Sequence, residues 1–291
     1  MQLNHKHPYA VSEDTLIYFV AHCFRNFNLQ YSTIKLYLCG IRYNCLKYNI
    51  ASPFHNAVNS MERLSMALNS VKRIQKPVCR NRLPITFDIL KQLCRKLKSG
   101  VFSNFIDILL FTVFVVAFYG FLRCGEFTLN NAGDFDVECH LCIEDVSFEN
   151  DYVILNLKQS KTDPFRKGVK IQFHKLDHEL CPFKALKDYL VIRNYHKFRN
   201  SDALFIDETG KALERIYFIN KLKNLLSLCG FDSNLYNGHS FRIGAATSAG
   251  KSNIEDHLIK TLGRWSSDSY CRYIRTCKNV IKGAQQRLYI V

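Results

Sequence analysis

This chain lacks a membrane-length apolar run, a regular cysteine framework, internal repeats and low-complexity tracts, and each absence excludes a class of protein. The longest apolar run, Phe105 to Phe121 (FIDILLFTVFVVAFYGF), carries Asp107, falls short of the roughly 20 residues needed to cross a bilayer and meets Arg123. A buried core helix, with no membrane partner, is the expectation. The twelve cysteines are scattered as singletons, such as Cys23, Cys39, Cys45 and Cys229, which excludes a small disulfide-stapled secreted scaffold and suits a reducing compartment. The opening MQLNHKHPYAVSED has no basic segment followed by an apolar one, so neither signal nor transit peptide is expected and an intracellular protein is. Acidic residues are also scarce. Twenty-five Asp and Glu against forty Lys and Arg leave a formal charge of +15, which draws polyanions wherever it gathers on one face and makes nucleic acid the leading partner.

With 291 residues the chain is long enough for two domains. Asp14 to Phe24, Thr33 to about Leu46 behind a Ser32 cap, and a Ser60-capped segment ending near Ile74 show apolar residues at helical spacing, predicting a small helical bundle over 1–80. The stretch IQKPVCRNRLPIT, residues 74–86, breaks the periodicity with two prolines and carries Lys76, Arg80 and Arg82. It reads as a basic linker suited to tracking a phosphate backbone, or as an ordinary surface loop. A second domain, 84–291, opens with a Thr86-capped helix to about Lys96 and the long helix Phe105 to Leu122. Leu141 to Phe148, Tyr152 to Leu157 and Val169 to Phe173 then read as a short antiparallel sheet, with the turn SKTDPFRKG between the last two. Helices return at about Phe183 to Tyr195, Ile216 to Cys229 and Phe241 to Ala249, and a last pair follows Lys251 to Asp256. The fold class expected is mainly α with a small antiparallel β-sheet, an α+β arrangement.

Four separated groups carry chemistry: LRCGE with Arg123 and Glu126, QSKTD with Lys161, GHSFR with His239 and Arg242, and RWSSDSYCRYIRT with Trp265, Tyr270 and Tyr273. Two guanidiniums fork onto phosphate oxygens and hold their charge at any working pH, which suits a phosphate gaining negative charge. His239 stands three residues before Arg242, one helical turn, and imidazole moves protons near neutral pH. A phenol is then the nucleophile, and Glu126 is expected to pair with an arginine and hold it in place.

The order Arg, Lys, His-x-x-Arg, Trp, Tyr resembles the tyrosine recombinase (phage integrase) family from about Thr15 to Thr276, and GRWSSDSYCRYIR is similar to the eukaryotic transposon-borne recombinases of the Crypton and DIRS kind. The resemblance implies an N-terminal helical core-binding (SAM-like) domain and an integrase-like catalytic domain closing as a clamp round duplex DNA, assembled as a tetramer on two duplexes. It implies catalytic roles for Arg123, Lys161, His239, Arg242, Trp265 and Tyr273. The tyrosine would form a 3′-phosphotyrosyl link, and Lys161 would protonate the departing 5′ oxygen. No metal, ATP or other cofactor is implied, and a eukaryotic host would place the protein in the nucleus.

Several alternatives stay open at this level. Lys158 and Lys167 flank the same turn as Lys161. Tyr273 lies eight residues beyond Trp265 where the family usually shows about nine, so Tyr270, at five, is the fallback. Cys139, His140, Cys142, His174, His178 and Cys181 have permissible zinc-ligand types, but the two pairs are separated by predicted strands, and no metal is expected. A type IB topoisomerase would use the same chemistry, and a domesticated DNA-binding protein would keep the clamp without the activity.

Overall fold

The computed structural model describes residues 11–49, 61–75, 82–160, 163, 165–195, 202–274 and 285. It divides into two compact units, Met1–Arg80 and Asn81–Val291.

The first unit contains α1 (Glu13–Arg25), α2 (Tyr31–Lys47) and α3 (Glu62–Ile74). Leu16, Val20, Cys23, Ile34, Leu38, Leu64 and Val71 form its core, following the helical period of the sequence. Ser12 caps α1 by accepting the Thr15 N–H. Ser32 does not cap α2, because the helix begins two residues earlier, at Tyr31 behind Gln30. The Gln75 side chain pins that start instead, accepting the Tyr31 N–H at 2.6 Å and donating to the Leu29 carbonyl at 2.7 Å. Ser60, Lys76 and Arg80 lie outside the described residues, while Arg82 is exposed.

In the second unit α4 (Phe87–Lys98) and α5 (Asn104–Tyr119) pack together, and twelve of the sixteen residues of α5 are buried. Asp107 is among them, and its carboxylate accepts the Val101 and Phe102 N–H groups at 3.0 to 3.2 Å, closing the turn that enters the helix. No helix among the described residues is long and apolar enough to cross a membrane. The helix ends at Tyr119, earlier than the apolar run predicts, because Phe121 takes a left-handed backbone (φ +48°) that breaks it.

After α6 (Cys124–Phe127) come β1 (Val146–Phe148), β2 (Tyr152–Leu157) and β3 (Val169–His174), an antiparallel meander with Val146 opposite Leu155 and Leu157 opposite Val169. Val153, Leu155 and Leu157 alternate onto the core face. The first strand is shorter than Leu141 to Phe148. Asp145 accepts the Cys142 N–H at 2.8 Å and draws Ile143–Asp145 into a 3₁₀ turn.

The rest is α7 (Pro182–Tyr195), α8 (Arg215–Leu228), α9 (His239–Lys251), α10 (Asp256–Leu262) and a 3₁₀ turn, Asp268–Arg272. Gly244 lets α9 lie directly on the backbone of Ile85, where any Cβ would overlap the carbonyl, and the Ile85 N–H donates to the Ser240 carbonyl at 2.9 Å. Helix α9 therefore sits between the start of the unit and α5, with its first turn opening towards α6.

Candidate active site

Arg123 leads into α6, and one carboxylate organises the group around it. Glu126 Oε1 accepts from Arg123 Nη1 at 2.9 Å, while Oε2 accepts both the Arg123 backbone N–H and Arg264 Nη2, each at 2.9 Å. The Glu126 side chain is 4% exposed, against 18% for Arg123 and 12% for Arg264. A carboxylate this deep in protein requires such pairing.

Arg242, on the first turn of α9, is fully buried. Its guanidinium donates to the carbonyls of Phe121 and Gly263 and lies 4.2 Å from the Trp265 ring centroid. Burial, then the nearby Arg123 and Arg264 charges, push its pKa down to about 9, which still leaves it cationic at neutral pH. Arg264 bonds the same backbone segment, with Nη1 donating to Gly120 O at 2.7 Å and Nη2 to Phe121 O at 3.4 Å. Phe121 and Arg264 both have left-handed backbones, φ +48° and +55°. Two such residues meeting at one guanidinium cluster mark backbone conformations held by their surroundings.

Tyr273 and His239 complete the group. The His239 and Tyr273 rings meet edge to face at 5.2 Å between centroids, and the Trp265 ring lies 5.5 Å from Tyr273. The Thr247 hydroxyl donates to the Tyr273 carbonyl at 3.0 Å, tying the end of the 3₁₀ turn to α9. Tyr270 shares the turn but not the environment. It is buried against Trp265 at 6.1 Å, and desolvation, with Cys271 and Asp256 beside it, pushes its phenol up to about 12. Gly263, at the end of α10, lets the Trp265 indole pack directly on its backbone, since a Cβ there would lie inside the ring.

Among the predicted site residues, the structure brings Arg123, Glu126, His239, Arg242, Trp265 and Tyr273 to one place. Lys161 lies outside the described residues, and only the strands on either side of it, β2 and β3, are seen to pair where the sequence puts them. Lys158 is engaged elsewhere, donating to the Val137 carbonyl at 2.6 Å and pairing with Asp145 at 3.0 Å. Burial works against its charge, but bonds to Asp145 and Cys142 outweigh that and hold its pKa above the ordinary lysine value, which suits an anchor and not a proton donor. Lys167 is exposed, its Nζ 5.9 Å from the Phe165 ring centroid.

The cysteine and histidine pairs have separate partners. Cys142 Sγ faces the Val137 and His140 carbonyls, while Cys181 Sγ accepts the Leu176 N–H. Among the described residues no three His, Cys, Asp or Glu side chains gather as a metal site.

The residue that sequence reasoning missed is Arg264. A signal for it was present, because Arg264 stands nine residues before Tyr273, the separation at which Trp265 falls one short.

No protein-family model matches the chain. A curated relative, an integrase/recombinase XerD homolog of Selenomonas ruminantium, is 25% identical over 264 residues, spanning 89% of this chain and 72% of its own. Among solved structures, XerH site-specific recombinase bound to palindromic difH substrate in a post-cleavage complex superposes with a TM-score of 0.62 at 18% identity, covering 96% of this chain and 73% of that one. The Tn1549 transposon integrase in complex with circular intermediate DNA gives 0.56 at 14% identity over 98% and 88% of the two chains. A lambda integrase dimer bound to a COC′ core site gives 0.54 at 15% identity over 94% and 83%. The chain is thus similar over most of its length to a tyrosine recombinase/integrase relative, and it shares the fold of the solved recombinase and integrase structures.

Proposed function

We propose that this chain is a site-specific DNA recombinase that cuts and rejoins strands through a 3′-phosphotyrosyl intermediate. The observation that carries the reading is the ring of Tyr273 in contact with His239 and Trp265 beside a cluster of three guanidiniums and one carboxylate. The Tyr273 oxygen attacks the scissile phosphorus while the bond to the 5′ oxygen breaks. His239 is placed to take the phenolic proton, and Lys161 supplies the proton that the leaving oxygen needs. Arg123 and Arg242 stabilise the charge that grows on the phosphate, and the Trp265 N–H is a further donor. A 5′-hydroxyl then attacks the phosphotyrosyl link and frees the phenol. Bond energy is conserved throughout, so the scheme calls for neither ATP nor a metal.

Duplex DNA is the partner in this reading. Residues 1–80 and 84–291 act as core-binding and catalytic domains, with Lys76, Arg80 and Arg82 following the phosphate backbone between them, and a tetramer joins two duplexes. Bound DNA in the solved relatives supports the polyanion partner that the +15 charge already favours. Kinship with Crypton and DIRS recombinases, and hence a nuclear location, rests on the wording GRWSSDSYCRYIR alone.

The test is a pool of nicked suicide duplexes with randomised cores, from which the wild-type chain should trap a covalent adduct resistant to denaturant. DNA binding without any adduct would instead support a domesticated binding protein. Adduct formation followed only by plasmid relaxation, with no exchange between two duplexes, would support a type IB topoisomerase.

One consequence concerns access. Arg242 has both terminal nitrogens on carbonyls, its buried Nε without a partner among the described residues, and its face under Trp265, so on this reading contact with a phosphate requires the indole to shift. Trp265 is the sole tryptophan, and intrinsic fluorescence reports it alone. Binding of cleavable duplex should shift its emission to the red and raise acrylamide quenching about twofold, since a stacked indole gains water contact on leaving the stack. An unchanged spectrum with saturated DNA would mean that Arg242 acts from where it now sits.

A further inference from the structure

We propose that Arg264 is a positioning residue for strand cleavage: by sharing the Glu126 carboxylate it aims the Arg123 guanidinium and leaves Arg123 with charge to spend on a phosphate. This rests on the reading of the site as a phosphodiester-cleaving centre.

The geometry separates the three arginines by task. Arg242 is fully buried, with both terminal nitrogens donating to carbonyls. Arg264 is almost as fully engaged, with donors on Gly120 O, Phe121 O and Glu126 Oε2. Arg123 is the most exposed of the three, and among the described residues its guanidinium shows one partner, Glu126 Oε1. Arg123 is therefore the cation best placed to meet a ligand, and Glu126 decides how much of its charge is available.

A carboxylate facing a single guanidinium closes on it in a two-point fork and neutralises it. Here Oε2 is taken by Arg264 and by the Arg123 backbone N–H, so only Oε1 remains for the Arg123 side chain. Arg264 thus withholds half of the fork. It also anchors Glu126 to the Gly120–Phe121 carbonyls, the segment that leads from α5 into Arg123 itself. Loss of Arg264 leaves Oε2 held only by the Arg123 backbone N–H, lets the carboxylate rotate towards the Arg123 guanidinium and removes one of three cations from a water-poor site, where charge counts most. The left-handed backbone of Arg264 is what turns its side chain into this position.

The experiment measures single-turnover cleavage at saturating duplex for wild type, Arg264→Met and Arg264→Lys. It compares a normal phosphodiester with a neutral methylphosphonate at the scissile position. On the phosphodiester Arg264→Met should slow cleavage about 100-fold, as expected when a catalytic group is misplaced by about 1 Å, and Arg264→Lys about 10-fold. DNA affinity should stay within about threefold. On the methylphosphonate, which presents no charge for Arg123 to hold, the Arg264→Met penalty should fall below about fivefold. An equal penalty on both substrates would mark Arg264 as merely structural, and no penalty on either would also overturn the proposal. If Arg264→Met does not melt cooperatively, the same comparison with Arg264→Lys decides. A wild-type chain that forms no adduct on any duplex would refute the catalytic reading itself, and wild-type cleavage with insensitive variants would refute only this inference.

Discussion

Tyr273→Phe should abolish the covalent protein–DNA adduct, with cleavage falling by at least about 10⁴-fold, while Tyr270→Phe should change the rate by less than about threefold. Removing a nucleophile costs more than removing any single supporting contact, because no other group forms the bond. The phenylalanine ring preserves the contacts of Tyr273 with His239 and Trp265, so DNA binding should survive and isolate the chemical loss. Tyr270 differs in what surrounds it. Its phenol is desolvated and faces Asp256, which disfavours the phenolate and pushes the pKa up to about 12, the wrong direction for an attacking oxygen. The measurement is adduct formation on a nicked duplex that the wild type cleaves. Adduct lost in Tyr270→Phe and kept in Tyr273→Phe would reverse the assignment.

Glu126→Ala should be the most destabilising single change in the site, by about 3 to 5 kcal/mol, because it strands buried guanidiniums without their shared carboxylate. For a unit of this size that corresponds to a fall in Tm of about 10 °C. Glu126→Gln retains the shape and one acceptor, so it should fall between alanine and wild type. Sulfate at tens of millimolar should restore part of the alanine loss by occupying the same cationic site, and sodium chloride at matched ionic strength should restore less. Thermal unfolding followed by circular dichroism decides. A Glu126→Ala protein that melts with the wild type would show that solvent already screens the three charges.

Much of the fold follows from period and punctuation. The core of α1 to α3, the buried α5, and the β2–β3 hairpin lie close to where apolar spacing puts them, because burial of one face is a local property of the sequence. The expectations that failed did so where distant groups outweighed local ones. The strand from Leu141 gives way to a 3₁₀ turn because Asp145 answers both Cys142 and Lys158, and the long apolar helix stops at Tyr119 because the Phe121 carbonyl is required by two arginines.

The sequence by itself determined the inventory of this protein: a strongly basic chain, a largely helical fold, and an ordered set of arginine, lysine, histidine and tyrosine motifs. Residue types and their order are written in one dimension, and so is their chemistry. Tertiary structure alone decided the surroundings of each member of each local set. Tyr270 and Tyr273 are equivalent by spacing, but one is buried beside Asp256 and the other faces His239. Lys158 is tied to Asp145, and Arg264 shares Glu126 with Arg123 across 138 positions of chain. Such choices depend on desolvation and on charges brought close by folding, and both vary with separation in space and hardly at all with separation along the chain.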